Sequence, residues 1–317
     1  MRSVLHGEMT LGRLLDEGRK KLEDSQVADG VLDARLLLLE IFDLGFAAFL
    51  TKRELPFSGW TKEREGKTPE ELLRAVSRYK EAIESRAARI PLQHLTGRQG
   101  FMGLEFKVNE HVLIPRQDTE TLVERVLKEQ RDRDISLLDI CTGSGCIAVS
   151  LAALGGYQSV TAVDISKEAL KVAEENRDRI LGEEKGRLRL IESDMFAALN
   201  QDEPFDVIVS NPPYIPAQVI DGLEPEVRDH EPRLALDGDQ DGLKFYRILA
   251  AECMARLKPG GVVYMEIGYD QGEEVTKLFD KAGFKDLEVI RDMAGLDRVV
   301  RAIRPPQQEN GAENGRR

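Results

Sequence analysis

Phe205-Asp206-Val207-Ile208-Val209-Ser210-Asn211-Pro212-Pro213-Tyr214 is an apolar run of strand-forming residues that stops abruptly at Asn-Pro-Pro-Tyr. In an open α/β sheet, ligands bind just beyond the carboxyl ends of the strands. Neither proline has an N–H, and each has a fixed φ, so the pair cannot extend a ladder. The proline after each of Asn211 and Pro212 also drives those residues towards extended conformations. The turn is therefore stiff, and it gathers an amide side chain, a proline carbonyl and an aromatic ring. The Asn211 side-chain oxygen and the Pro212 carbonyl are two acceptors that match the two donors of one –NH2 group. Tyr214 offers a flat face to a planar partner. The arrangement suits a weakly nucleophilic planar nitrogen. An isolated Asn-Pro-Pro would read as a strand cap, and what lies upstream decides between the two.

Upstream, Leu137-Leu138-Asp139-Ile140-Cys141-Thr142-Gly143-Ser144-Gly145-Cys146-Ile147-Ala148 reads as a strand, a glycine turn and a helix start. Gly143 and Gly145 let a ligand approach the backbone closely, a pattern shared with dinucleotide sites. Asp139, an acid at a strand end, suits a cationic amino-acid moiety better than a pyrophosphate. Asp164 ends the next strand, where it can take ribose hydroxyls; Ser166 is equally able to cap the helix that follows. Glu192-Ser193-Asp194-Met195-Phe196 comes after the third strand. Asp194 can accept from an adenine amino group, with Met195 or Phe196 against the ring. Acids at three successive strand ends beside a glycine turn point to a nucleoside.

The chain has 317 residues, room for one large domain or two unequal ones. A net charge of −12 argues against a general nucleic-acid surface. The first eight residues lack the apolar core of a signal peptide, and no run is long enough to span a membrane, so a cytoplasmic protein is expected. Three cysteines fit that compartment. Cys141, Cys146 and Cys253 read as small apolar core residues, because no second Cys/His cluster completes a metal site. No metal is expected.

Residues 1–90 read as helical. Leu11, Leu14, Leu15 and Leu22 share one helix face. Asp33 is a candidate cap for the next helix, whose Leu36–Leu39 run suggests burial on several sides. Thr68-Pro69-Glu70-Glu71 carries the signature of a capping box with proline at the first helical position. Residues 52–67 read as a charged loop, and the bundle as a recognition module. Over 91–115, glycines interleave with alternating apolar residues, as in a β-hairpin linker. From 116 to 304, predicted strands at 136–141, 159–164, 187–192, 205–210, 261–267, 287–291 and 298–303 alternate with helices, notably at 167–180, 242–257 and 271–282. That alternation predicts an α/β fold: a mostly parallel, Rossmann-like sheet with helices on both faces. Residues 305–317 are polar and expected to be disordered.

Asp139-x-x-Thr142-Gly143-Ser144-Gly145, then Val163-Asp164, Ser193-Asp194-x-Phe196 and Asn211-Pro212-Pro213-Tyr214 resemble the S-adenosylmethionine-dependent amino-methyltransferases. Asn-Pro-Pro-Tyr is shared by DNA adenine and protein glutamine enzymes. Pro91-Leu92-Gln93-His94-Leu95-Thr96-Gly97, Phe101-Met102-Gly103, Val112-Leu113-Ile114-Pro115-Arg116 and Glu226-Val227-Arg228-Asp229-His230-Glu231-Pro232 are similar to the bacterial peptide-chain-release-factor N5-glutamine methyltransferases. The similarity runs from about Leu11 to Arg304. The chain departs from the usual Pro-Arg-Pro-Glu-Thr-Glu at Gln117 and Asp118, and has Met195 where tryptophan is frequent.

The resemblance implies a seven-stranded methyltransferase sheet, a small helical domain and a hairpin linker. It implies S-adenosyl-L-methionine as cofactor and, as substrate, the Gly-Gly-Gln glutamine of class 1 release factors. Site residues expected for the cofactor are Asp139, Cys141, Thr142, Gly143, Ser144, Gly145, Asp164, Asp194, Met195 and Asn211. Asn211, Pro212, Pro213 and Tyr214 are expected to hold the substrate, with Asn211, Pro212 and Tyr214 catalytic. The chain is expected to act as a monomer, without direct nucleic-acid or membrane contact. Arg116 can steer a carboxylate or form a salt bridge, and the Glu231-Pro232 segment can close over the site. A nucleic-acid amino-methyltransferase and a non-catalytic adapter stay open as alternatives.

Overall fold

The leucines that share a face at the start of the chain lie on α1 (Leu11–Asp24) in the computed structural model, which describes residues 9–60, 68–200 and 202–306. The Thr10 hydroxyl caps this helix by accepting from the Arg13 amide at 3.1 Å. It is followed by α2 (Gly30–Phe42), α3 (Phe46–Lys52), α4 (Pro69–Ala87) and the single turn α5 (Leu92–Thr96). The capping box at Thr68 is formed: Glu71 N donates to Thr68 Oγ1 at 3.3 Å, and Thr68 N to Glu71 Oε2 at 2.6 Å. Leu11, Leu14, Leu22, Leu38, Phe42 and Tyr79 form the centre of the helical core. Burial in the leucine run of α2 is one-sided, since Leu37 and Leu38 are buried while Leu36 faces solvent.

Among the described residues, those up to Gly97 group with 225–230 as one unit, and those of 98–224 with those from Glu231 onwards as the other. Asp33 is not the cap of α2; Asp29 holds that position, and Asp33 lies inside the first turn, buried. There it accepts from Arg86 Nε at 2.7 Å. Arg86 also reaches Glu226, at 2.9 Å, and Arg89 grips the same carboxylate through two nitrogens at 2.7 and 2.6 Å. Glu226 sits on the helical turn Pro225–Arg228, which the chain contributes to the first unit from far downstream. Of the loop expected over 52–67, residues 61–67 lie outside the described residues, as do 1–8 and 307–317 of the tail.

The second unit opens with the hairpin β1 (Arg98–Phe101) and β2 (Leu104–Lys107). Phe101 and Phe106 bury their rings in the core of this unit, which is why the hairpin groups with it. Then come α6 (Gln117–Glu129), β3 (Ser136–Ile140), α7 (Cys146–Ser150), β4 (Ser159–Asp164), α8 (Lys167–Leu181), β5 (Leu188–Glu192) and β6 (Phe205–Ser210). α9 (Lys244–Arg256), β7 (Leu257–Glu266), α10 (Gly272–Lys281), β8 (Lys285–Arg291) and β9 (Asp297–Ile303) complete it. Seven strands form one sheet in the order β5-β4-β3-β6-β7-β9-β8. β5 to β7 run parallel, and β9 is antiparallel to both of its neighbours.

Both faces are covered, which explains the continuous apolar runs of the central strands. Leu137, Val207, Val209, Val262 and Tyr264 point into one core, with Leu122, Val123 and Val126 of α6. Leu138, Ile208, Val263 and Met265 point into the other, with Leu249 and Cys253 of α9 and Val275 and Phe279 of α10. No helix among the described residues is long and apolar enough to cross a membrane.

Burial pushes the Glu226 carboxyl up, but the two arginines outweigh it and hold it at about 2, against an ordinary 4.5. Its contribution to stability is therefore fully present above pH 4.5 and is lost as the pH falls towards 2. Glu226→Gln should destabilise the helical unit by about 3 kcal/mol at neutral pH, because it removes a carboxylate shared by the buried Arg86 and the half-buried Arg89. Trp60, the only tryptophan and buried in that unit, reports the transition by fluorescence during urea unfolding. An unchanged midpoint would show that the cluster contributes nothing.

Candidate active site

The strand order reverses at β3. The chain lays β4 and β5 on one side of it, then crosses back to place β6 on the other. The crevice beyond the carboxyl ends of β3 and β6 is thus the topological switch point, where α/β sheets take their ligands. A cavity of about 320 Å³ opens there. Its wall includes Cys141, Thr142, Gly143 and Ser144 after β3, Asp164 at the end of β4, Asp194 and Met195 after β5, and Asn211 and Pro213 after β6. These are expected site residues from four strand ends brought to one place. Asp139, Gly145, Pro212 and Tyr214 stand outside the lining.

The glycine loop is held from beneath. Thr142 Oγ1 donates to Asp139 Oδ2 at 2.6 Å, and Gly143 N donates to Asp164 Oδ2 at 2.8 Å. Gly143 has φ of +55°, where a side chain would be strained. The fully buried Asn176 of α8 donates to the Ser144 carbonyl at 2.9 Å and to that of Lys107 at 3.0 Å, tying loop and hairpin to one helix. Ser166 caps α8 by accepting from Ala169 N at 3.1 Å, which leaves Asp164 facing the cavity.

Burial pushes Asp139 up to about 7, against hydrogen bonds from Thr142 and the Ala148 amide. Its Oδ1 is buried without a protein partner, as is Ser144 Oγ. Burial raises Asp164 as well. Carboxyls desolvated in this way are stabilised in their charged form by a cation nearby. An apolar cavity wall with acids beside it therefore fits a cationic ligand that has an apolar body.

On the acceptor side, Asn211 Nδ2 donates to Thr119 Oγ1 at 3.3 Å. Thr119 lies in the first turn of α6 and is buried. Its side chain bears on Glu266, which also accepts from the Tyr214 phenol at 3.4 Å. Gln271 Nε2 donates to the Tyr214 carbonyl at 3.0 Å. Gly242 packs so closely that a Cβ there would overlap that carbonyl, and its φ is +73°. The Asn-Pro-Pro-Tyr turn is thus clamped on both sides.

Arg116 places Nη2 2.7 and 2.8 Å from the two oxygens of Glu231, whose side chain is buried. The salt bridge is thus formed, and Arg116 also borders the cavity. It anchors the start of the segment from which Pro232, Leu234 and Ala235 wall the cavity. Burial raises the Glu231 carboxyl despite Arg116. Lys244, Phe245 and Ile248 of α9 also line the site, as does Ile165. The sequence did not single these out; for Phe245 and Ile248, apolar character on a helix that follows the Asn-Pro-Pro-Tyr turn was the one hint. Cys146 and Cys253 are buried, while Cys141 is half-buried with its sulfur 3.8 Å from that of Met195. Among the described residues, no group of three His, Cys, Asp or Glu side chains is placed to hold a metal ion.

The family model for the methyltransferase small domain matches residues 117–222. A release factor glutamine methyltransferase of Caulobacter vibrioides is 39% identical over 302 residues, covering 94% of this chain and 98% of its own. One from Moorella thermoacetica is 43% identical over 300 residues, covering 93% and 99%. A solved protein-(glutamine-N5) methyltransferase (release factor-specific) from Alicyclobacillus acidocaldarius is 33% identical, covering 63% of this chain and all of its own with a TM-score of 0.38. With relatives this similar along nearly their whole length, the chain belongs to the release factor glutamine methyltransferase family.

Proposed function

We propose that this enzyme methylates the side-chain amide nitrogen (N5) of the glutamine in the Gly-Gly-Gln motif of class 1 peptide chain release factors, with S-adenosyl-L-methionine as donor. The observation that carries the reading is the position of Asn211: it lines a cavity whose wall also holds Asp164 and Asp194, at the end of the central strand β6. When bound, the donor supplies an electrophilic methyl on a sulfonium. Gly143 and Ser144 bring the backbone close to it, Cys141 and Thr142 border it, and Gly145 lets the loop turn into α7. Asp139 supplies negative charge behind the loop, Asp164 takes ribose hydroxyls, and Asp194 with Met195 holds the base.

The amide nitrogen of glutamine is a poor nucleophile because its lone pair is delocalised. No side chain in the site is asked to deprotonate it. With Asn211 Nδ2 committed to Thr119, Oδ1 is the atom offered to the incoming –NH2. The Pro212 carbonyl is the second acceptor. Together they orient the nitrogen and stabilise the positive charge that develops on it, which combines positioning with electrostatic preorganisation. Pro213 keeps the turn stiff, and Tyr214 gives the planar amide a surface. The proton leaves after transfer, to water. The reading includes a cytoplasmic monomer, since translation takes place there, that contacts neither nucleic acid nor membrane directly.

Purified release factor incubated with the enzyme and S-adenosylmethionine should gain one methyl on the Gly-Gly-Gln glutamine, read by mass spectrometry of the tryptic peptide. A DNA duplex in a parallel reaction should gain none; methyl on adenine instead would reverse the choice of substrate. Asn211→Ala should cost on the order of 100-fold or more in kcat, as loss of one preorganised polar group does elsewhere. Its dissociation constant for the donor should stay within a few-fold of wild type. Asp194→Asn should do the opposite, weakening donor binding by about tenfold through loss of a charged hydrogen bond. Calorimetric titration of both variants separates the two roles, and equal losses of binding in both would contradict it.

A further inference from the structure

β6 and β7 are parallel neighbours, and Ser210 pairs with Met265. One step further, where the ladder ends, the same register sets Asn211 beside Glu266. Glu266 is 1% exposed, an acid at the foot of the turn that carries the chemistry. Two groups attach it to that turn. The Tyr214 phenol donates to its Oε1 at 3.4 Å, and Thr119 bears on it while accepting from Asn211 Nδ2 at 3.3 Å. Its other oxygen, Oε2, is buried with no hydrogen bond. A buried carboxyl with one oxygen unspent is costly to keep unless it does something.

We infer that Thr119 and Glu266 are positioning residues for methyl transfer: the Glu266 carboxylate, acting through the Thr119 hydroxyl, fixes which way round the Asn211 amide lies and polarises its oxygen. The inference rests on the reading of Asn211 given above. An ionised carboxylate only accepts, so the Thr119 hydroxyl must turn its proton towards Glu266. The hydroxyl oxygen then accepts, and the Asn211 group that faces it must be –NH2. Oδ1 is left for the substrate. Chained hydrogen bonds also polarise one another, so a carboxylate at the far end draws the Asn211 N–H outward and enriches its oxygen. A neutral Glu266 can donate, which lets Thr119 face the other way and the amide flip. The flipped amide would present donors to a substrate –NH2 and repel it.

The charge state of Glu266 is set by its surroundings. Thr119 and Asp118 face it from α6, Arg298 from β9, Tyr214 from the turn, Tyr246 from α9 and Cys146 from α7. Arg298 is shared with Asp118 at 3.2 Å and Asp292 at 3.1 Å, so its charge is partly spent elsewhere. Burial pushes Glu266 up to about 7, against Thr119 and Arg298. The oriented amide therefore gains population as the pH rises through about 7 and loses it below.

The test measures kcat for methylation of intact release factor at saturating donor, across pH, with donor dissociation constants and melting curves for each variant. Thr119→Val, which keeps shape and removes the hydroxyl, should lower kcat on the order of 100-fold while the donor constant stays put. Thr119→Ser should restore it to within a few-fold, a rescue that a packing role for the methyl group would not give. Wild-type kcat should fall on the acid side of about 7, and Glu266→Gln should abolish that limb. If Thr119→Val does not fold, Thr119→Ser and Glu266→Gln carry the test alone. Wild-type kcat in Thr119→Val, a folded Thr119→Ser variant on the order of 100-fold slower than wild type, or an acid limb kept in Glu266→Gln overturns the inference. Wild type and Asn211→Ala run alongside: a wild type inert on release factor, or an active Asn211→Ala, removes the functional reading and this inference with it. An inert Asn211→Ala beside a fully active Thr119→Val removes the inference alone.

Discussion

Burial of β6 on both faces is the constraint on which the rest of the second unit depends. Val207, Ile208 and Val209 are fully buried, with successive side chains in opposite cores. A one-residue slip of this strand would exchange the two sets and misplace every residue after it. The register is therefore held by two cores at once, and Asn211 inherits that precision as the first residue beyond the strand. The two prolines that follow turn a rigid strand end into a rigid site. The donor half obeys the same logic, because β3 and β4 end level with one another and deliver the glycine loop and Asp164 side by side.

Polar groups in the site are arranged to offset what burial costs. Asp139, Asp164 and Glu266 are all carboxyls that desolvation disfavours in their charged form. Asp139 and Asp164 accept hydrogen bonds that hold the glycine loop, and Glu266 accepts from Tyr214 of the Asn-Pro-Pro-Tyr turn, so what burial costs is partly offset by bonds that shape the site. Glu231 is the contrasting case, since its partner Arg116 is a cation.

Much of the fold was legible because its signals are local. Prolines stop β6, glycines turn the loop after β3, and alternation of apolar runs marks each strand. The predicted strand at 261–267 instead begins at Leu257, because Pro259 and Gly260 are carried within β7 by a register shift opposite Phe205 and Val207. Asp33 looked like a cap by its position, but its ion pair with Arg86 joins residues 53 apart and has no local signature. Thr119 and Glu266 escaped for the same reason. One reads as a packing residue of an amphipathic helix, the other as the end of an apolar strand. Only the pairing of β6 with β7 and the docking of α6 over them makes the two a unit with Asn211. The residues of α9 on the cavity wall are likewise assigned by the fold.

The six residues 225–230 make the helical unit discontinuous in sequence. Arg89 and its carboxylate partner are 137 positions apart. During synthesis the helices of the first unit are complete long before Glu226 is made, so for that interval Arg86 and Arg89 both lack the carboxylate they share in the folded unit. The last element of the amino-terminal unit to arrive is thus encoded after the Asn-Pro-Pro-Tyr turn. A nascent chain therefore finishes its helical unit only once most of its catalytic sheet has already left the ribosome.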